Sequence, residues 1–462
     1  MCSFAPKLQM ASEKDKTLSE EILSDRIWRL LVKFSLPSII AMSVNGINAF
    51  VDGLFVGQLV GESALAAISL AFPLTMILNG FTAMIGVGAS SLLSRSIGAG
   101  DVHTQQKIFG MTTTLCLLVS VVLSGLGIYF APELIGFLGG KGEILEMGVS
   151  YYRIVMLGAF FRVFGVAANM LIRAEGKIKA AMTYSVMATL LNMALNYVFM
   201  YVLGMGIEGA AWATVAAMVV LSLLDLWYFL GRHTDYAVDL KAFGLNMKLL
   251  RPILTVGGSA MMLQIMFFVQ QAVVFKSLDH YGTEWDFAFM GACYRVILLI
   301  VIPCFGFAQA MQPVVGINYG AGKLGRVREA YRTFTLSGTG LILLFWVFCM
   351  AWPEVILSWM LPEAQFTAND LLNFRMMMLT IPSFPLFFMG TTLFQSIGNA
   401  RWATTLLLAR ELVLFVPAVL LMPLVWGVNG IYYAGIPVNV IVIGITVSMT
   451  MRQFGKWQLK PA

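Results

Sequence analysis

Nine ionisable side chains lie inside long apolar stretches of this 462-residue chain, where their chemistry would be unusual. They are Asp52, Arg153, Arg162, Asp225, Lys276, Arg295, Arg375, Arg410 and Glu411. A charge in apolar surroundings is costly, so such residues usually serve a function or pair with an opposite charge. Asp225 and Lys276 lie near the ends of their stretches, where we expect them to reach the polar boundary. Arg410 and Glu411 are adjacent, and neighbours on a helix point about 100° apart, which predicts no simple facing pair.

Asp52 lies in the segment NAFVDGLFVGQL, which contains no cation. A desolvated carboxylate can gain or lose a proton near neutral pH, and it can also bind Na⁺. The alternative is a structural ion pair with Arg153, Arg162 or Arg295 from another helix. The residue types alone leave both interpretations open.

Polar, uncharged side chains accompany Asp52 in the same half of the chain. Asn192 and Asn196 are four residues apart, which places them on one face of a helix. Asn169 and Thr214 lie in neighbouring apolar stretches. Amides and hydroxyls can orient a carboxylate or coordinate a cation, but they also form ordinary hydrogen bonds between helices.

The composition explains why these residues are so few. Hydrophobic residues make up 59% of the chain, charged residues 12%, and the mean hydropathy is +0.82. A soluble protein carries about 25% charged residues, so this is an integral membrane protein. Cytosolic enzymes, nucleic-acid binders and disulfide scaffolds are excluded. The motifs HExxH, GxSxG and GxxxxGK[ST] are absent from the sequence, which argues against a membrane protease or an ATP-driven pump.

Twelve apolar runs are long enough to cross a bilayer. They lie near 34–59, 65–94, 108–131, 144–172, 180–203, 208–231, 249–278, 286–318, 329–352, 368–397, 402–425 and 429–452. The loops on one side carry 23 Lys and Arg residues and the opposite loops carry one, Lys141. Positive loops stay in the cytoplasm, so we expect both termini to be cytoplasmic. Pro37, Pro303, Pro382, Pro385 and Pro417 are candidate kink points.

The second half of the chain repeats the first at an offset of about 222 residues. SIGAG at 96–100 matches NYGAG at 318–322, RAEG at 173–176 matches QSIG at 395–398, and GIEG at 206–209 matches GVNG at 427–430. Six spans per half give both halves the same orientation, a layout known among transporters. The predicted fold is therefore all-α, with twelve transmembrane helices in two pseudo-symmetric six-helix lobes. The predicted division is a cytoplasmic segment 1–33, an N-lobe 34–231, a linker 232–248, a C-lobe 249–452 and a tail 453–462.

Several motifs together resemble the multidrug and toxic compound extrusion (MATE) family, nearer its DinF-like and MepA-like branch than its NorM branch. They are LPSIIAMSVNGINAFVDGLFVGQLVG, GVGASSLLSRSIGAGD, NMLIRAEGKIKAAM, GIEGAAWATV, PCFGFAQAMQPVVGINYGAGK and LFQSIGNAR, within residues 26–455. The resemblance implies a cation-coupled antiporter whose lobes form a V-shaped cleft. Such antiporters expel amphipathic, often cationic drugs in exchange for H⁺ or Na⁺. We expect a monomer in the bacterial inner membrane that uses no cofactor beyond the coupling ion.

The resemblance also assigns roles to individual residues. The coupling aspartate of the family matches Asp52, and its other polar positions match Asn169, Asn192, Asn196 and Thr214. Asp52, Asn192, Asn196 and Thr214 are the candidate Na⁺ ligands.

The sequence departs from the family pattern at two places. Many relatives carry a second aspartate where this chain has Asn196, and Gln264 stands where NorM-like members use a C-lobe carboxylate. These departures favour coupling in the N-lobe, with H⁺ ahead of Na⁺. Gln264, Glu411 and Arg295 are the candidate substrate contacts.

Other functions fit the sequence less well. The nearest rival is a flippase for lipid-linked precursors, which needs a basic cavity; Arg153 and Arg162 keep that reading open. A major-facilitator transporter would carry a GxxxDRxGR-like loop, which SRSIGAGD does not match. A passive channel needs no coupling carboxylate.

Overall fold

The computed structural model describes residues 18–231, 233–239, 242–362 and 364–458, and in these ranges it is helical without strands. The helices of the first half are α1 Leu18–Ser24, α2 Ile27–Leu59, α3 Glu62–Ala99, α4 Val102–Tyr129, α5 Ala131–Phe137, α6 Gly142–Leu157, α7 Ala159–Ala174, α8 Ile178–Asn196 and α9 Gly206–Leu230. Those of the second half are α10 Met247–Tyr281, α11 Glu284–Gly320, α12 Leu324–Ala351, α13 Pro353–Ser358, α14 Ala368–Met378, α15 Phe384–Ser396, α16 Ala400–Leu408, α17 Val416–Leu421, α18 Pro423–Trp426, α19 Asn429–Tyr433 and α20 Gly435–Gln458.

The twelve predicted spans are confirmed. Within the described ranges, eleven helical segments are long and apolar enough to cross a membrane, and the bent pair α6–α7 supplies the twelfth. The first span begins at Ile27 rather than near residue 34, because Leu30 and Leu31 extend its buried face. An even number of spans places both ends of the bundle on one face, called here the terminal face.

The helices are interrupted at some prolines and not at others. Helices α2 and α11 continue through Pro37 and Pro303. A short 3₁₀ turn at Ile381–Ser383 contains Pro382, and Pro417 follows a π-helical segment, Ala409–Phe415. The bend of 51° between α6 and α7 contains no proline. It lies at Gly158, where a β-carbon would approach Val215 to 2.5 Å.

The two lobes pack against each other in the halves of the helices nearer the terminal face. Gln312 Nε2 of α11 donates to Ser90 Oγ of α3 at 2.5 Å, and these residues are 222 positions apart. Residues at the same repeat position thus meet where the lobes touch. One buried apolar cluster joins Ile22 of α1, Met182 of α8 and Phe307 of α11 across this boundary.

The linker, residues 233–239 and 242–246 as described, lies along the N-lobe. Asp239 N donates to Gln106 O at 3.0 Å, and Gly244 N donates to Thr114 Oγ1 at 3.1 Å. The Tyr236 hydroxyl donates to Glu175 Oε1 at 2.8 Å. These contacts hold the connection between the lobes against the N-lobe.

Candidate functional site

The Asp52 carboxylate lies in the half of α2 farther from the terminal face and accepts hydrogen bonds from two amides. Asn196 Nδ2 of α8 donates to Oδ1 at 2.5 Å, and Asn48 Nδ2 donates to Oδ2 at 3.0 Å. Asn48 was not predicted as a site residue. Its position one helical turn before Asp52, on the same face, was the signal that could have found it.

Asn192 and Thr214 complete this cluster, called the outer cluster. Asn48 Nδ2 also donates to Asn192 Oδ1 at 3.0 Å. With the Asn192 amide turned by half a rotation, its nitrogen donates to Asp52 Oδ1 and its oxygen accepts from the Thr214 backbone N–H, both at 3.3 Å. The Thr214 hydroxyl donates to Ala210 O at 3.0 Å, within its own helix. The structure therefore brings together Asp52, Asn192, Asn196 and Thr214.

Asp52 forms no ion pair with any residue that the structure describes. The ion pairs among the described residues are Lys33–Glu21, Lys177–Asp235 and Arg410–Glu411. Two of the arginines considered as partners bind elsewhere: Arg162 donates to Asn79 Oδ1 at 2.9 and 3.1 Å, and Arg153 to Ile128 O at 3.4 Å. The structural ion-pair interpretation of Asp52 is therefore wrong for this conformation.

The outer cluster combines one carboxylate with neutral amides. Asn196 is 1% exposed, and its Oδ1 atom is buried without a hydrogen-bond partner among the described residues. An acceptor in that position can take a proton donor or a small cation. In the described ranges no group of three His, Cys, Asp or Glu residues could hold a metal ion. A Na⁺ ion here would depend on a single negative charge and amide oxygens.

Asn169 belongs to a different cluster. Its Nδ2 atom donates to Ala181 O at 2.9 Å and to Asp225 Oδ1 at 3.3 Å. Its Oδ1 atom accepts from Arg173 Nη2 at 2.7 Å and Nε at 3.1 Å. Asp225 is fully buried, so the expectation that it reaches the polar boundary is wrong. The end of its helix is covered by α7 and α8.

The three candidate substrate contacts lie in different surroundings. Gln264 of α10 is half-buried opposite Gly80 of α3, and Arg295 of α11 is exposed. Glu411 forms an ion pair with Arg410, so the prediction that these neighbours do not pair is wrong. Both residues lie in the π-helical segment, and the long arginine side chain bends back to the carboxylate. The Arg410 guanidinium carbon lies 5.0 Å from the ring centre of Phe384 and 4.8 Å from that of Phe387.

Two repeated six-span lobes, with one acid that is held by amides and has no ion pair among the described residues, are typical of a secondary transporter. The family model for MatE matches the chain twice, at residues 37–198 and 259–420, and these matches start 222 positions apart. The chain therefore belongs to the MATE family, and as a family member it is a multi-pass secondary transporter rather than an enzyme.

Individual relatives agree with this assignment. The probable multidrug resistance protein YoeA of Bacillus subtilis is 25% identical over 91% of this chain and 89% of its own length. The multidrug export protein MepA of Staphylococcus aureus is 23% identical over 88% of this chain and 90% of its own length. A crystal structure of a MATE protein in the bent conformation superposes with a TM-score of 0.90 at 26% identity, covering 96% of this chain and 98% of that one.

Proposed function

We propose that this protein is a proton-coupled antiporter that exports amphipathic, often cationic compounds across the bacterial inner membrane. The names of YoeA and MepA support multidrug substrates. Both termini would face the cytoplasm, in keeping with the distribution of positive loops. A monomer would suffice, because the two lobes of one chain would supply a complete cleft.

The observation that carries the choice of ion is the single carboxylate of the outer cluster. Asn48, Asn192 and Asn196 surround Asp52 with neutral groups, and no second acid from the described part of the chain joins them. One carboxylate can carry one H⁺, whereas a Na⁺ site with a single formal charge binds weakly because fewer charged ligands repay the dehydration of the ion.

The transport cycle follows from the charge of Asp52. In the state described here the lobes are packed at the terminal face, so a proton would arrive from the opposite face. Protonating Asp52 removes the negative charge to which Asn48 and Asn196 donate, and their hydrogen bonds weaken. The conformation that held the ionised cluster is then less favoured, and α2 would bend near Pro37 as the lobes rock. Substrate and proton thereby favour different conformations, which couples their movements.

Ethidium transport in proteoliposomes tests the proposal. Purified protein is reconstituted, and movement of ethidium is followed under an imposed pH gradient and then under an imposed Na⁺ gradient. We expect the pH gradient alone to drive accumulation. Accumulation driven by Na⁺ would overturn the ion assignment. Failure of a panel of cationic and neutral drugs under both gradients, together with movement of a fluorescent lipid-linked precursor, would replace the antiporter with a flippase.

A further inference from the structure

A second buried polar cluster, called the inner cluster, lies near the terminal face and has no part in the proposed proton step. It consists of Asn169 and Arg173 of α7 and Asp225 of α9. Asn169 separates the two charges: it donates to Asp225 and accepts from Arg173. Arg173 and Asp225 form no direct ion pair. Asp225 Oδ2 is buried, and no residue in the described ranges forms a hydrogen bond with it.

The inner cluster reaches across the boundary between the lobes. Arg173 Nη1 donates to Gln309 Oε1 of α11, which belongs to the C-lobe. Gln309 Nε2 in turn contacts Met42 Sδ of α2 at 3.3 Å. The guanidinium of Arg173 is therefore shared: its Nε and Nη2 atoms bind the N-lobe through Asn169, and its Nη1 atom binds the C-lobe. Asn169 and Arg173 are four residues apart on one face of α7, so this geometry is fixed by the helix.

Separation of the lobes at the terminal face would break the bond from Arg173 to Gln309. That removes one charge-assisted hydrogen bond from the half-buried guanidinium of Arg173, which is then free to take another acceptor. Asp225 Oδ2 is an unused acceptor of opposite charge in the same cluster. Asn169 bonds both Arg173 and Asp225, so Arg173 can exchange Gln309 for Asp225 by a rearrangement of its side chain that gives up part of its contact with Asn169.

We propose that Arg173 exchanges Gln309 for Asp225 during the transport cycle, so that Asp225 is a positioning residue for the state that is open at the terminal face. The bond to Gln309 favours the closed terminal face, and the Arg173–Asp225 ion pair favours the open one. This inference rests on the alternating access of the proposed function, but not on the identity of its substrate or ion.

The proposal predicts a specific pattern of coupling between substitutions. In the otherwise wild-type protein, Asp225→Asn removes the ion pair from the open state only, so the ratio of open to closed protein falls about tenfold or more, the equivalent of one charge-assisted hydrogen bond. In a Gln309→Ala background, Arg173 is free to pair with Asp225 in both states. Asp225→Asn then leaves the ratio unchanged within about twofold.

Spin labels at Lys179 and Gly325 measure this ratio. Both positions are exposed on the terminal face, one on each lobe, and a β-carbon at Gly325 meets no atom within 4 Å. The four cysteines in the described ranges are buried, and Cys2→Ser removes the remaining one. Distance distributions from double electron–electron resonance in lipid nanodiscs give the open and closed populations. They require neither drug nor ion gradient, so this test can succeed or fail independently of the ethidium assay.

Gln312→Ala is the matched control. It removes another hydrogen bond between the lobes, to Ser90, without touching Arg173. In that background the effect of Asp225→Asn must return in full. The same shift in the Gln309→Ala and Gln312→Ala backgrounds, or none in either, would overturn the proposal. Asp225→Ser, a second variant without the carboxylate, replaces Asp225→Asn if that variant does not fold.

Discussion

Replacing Gly257 by alanine would force the lobes apart at the terminal face. Gly257 of α10 packs against the backbone of α3 so closely that a β-carbon would lie 1.8 Å from Met84 O. Real β-carbons essentially never approach within 3.0 Å of a heavy atom on a neighbouring helix. The two helices must therefore move apart by about 1.2 Å at this point, and since both partners are backbone, no side-chain rotation relieves the contact.

The expected cost follows from the crowding. Overpacking of this kind costs about 1–3 kcal/mol. It destabilises only the conformation in which α3 and α10 touch. The ratio of closed to open protein should fall by roughly 5- to 150-fold. The label pair at Lys179 and Gly325 measures this ratio directly.

Gly258 supplies the matched control at the neighbouring position. A β-carbon there meets nothing within 4 Å, so Gly258→Ala should leave the ratio within about twofold of wild type. An equal effect of Gly257→Ala and Gly258→Ala would refute the reasoning, because helix propensity and not contact between the lobes would then be responsible. A lower melting temperature for Gly257→Ala with unchanged distances would also contradict it.

Three further predictions concern other parts of the molecule. Glu411→Ala should lower the free energy of unfolding by about 3–5 kcal/mol, because it leaves Arg410 buried and unpaired. Replacing both residues by methionine should leave the free energy of unfolding nearly unchanged. Loss of ethidium transport in a stable double variant would instead support a substrate role for Glu411. Asn196→Asp should place two carboxylates about 4 Å apart, with a repulsion of roughly 4 kcal/mol. Because a bound cation relieves this repulsion, Na⁺ should raise the melting temperature of the variant and not that of wild type. An equal response of both proteins to Na⁺ would contradict this prediction. Burial raises the pKa of Glu175 from 4.5 to about 7, against the opposing effect of its hydrogen bonds from Tyr228 and Tyr236. Docking of the linker should therefore be most stable below pH 4.5 and weaken as the pH rises through 7. Hydrogen exchange, corrected for intrinsic rates, should show this as falling protection of the linker amides. Glu175→Gln should remove the pH dependence.

The architecture was predictable from the sequence because its signals are local. Each span is a continuous apolar run, and each repeat unit ends in a glycine-containing motif that can be read in place. The bend at Gly158 was not predictable, because no proline marks it and the glycine packs closely against Val215, which is distant in sequence. Likewise, the docking of the linker depends on contacts with α4 and with Glu175 at the end of α7, which are distant in sequence.

The candidate site was predictable only in part. Asp52 is recognisable as a carboxylate in an apolar run, and the resemblance to a family selected Asn192, Asn196 and Thr214. The assignment of Asn169 to a second cluster depends on which helix faces cross in space, which no sequence spacing reports. The Arg410–Glu411 pair was missed because helical geometry fixes where a side chain starts, whereas two long side chains can still bend towards each other.

Proton-driven ethidium transport by Asp52 variants tests the central claim most directly. Asp52→Asn keeps the size of the side chain and removes its titration, while Asp52→Glu retains an acid. In proteoliposomes with an imposed pH gradient, we predict that Asp52→Asn transports no ethidium above empty liposomes, although it binds ethidium, and that Asp52→Glu retains part of the wild-type rate. Wild-type transport by Asp52→Asn would contradict the account, because the proton would then be carried elsewhere.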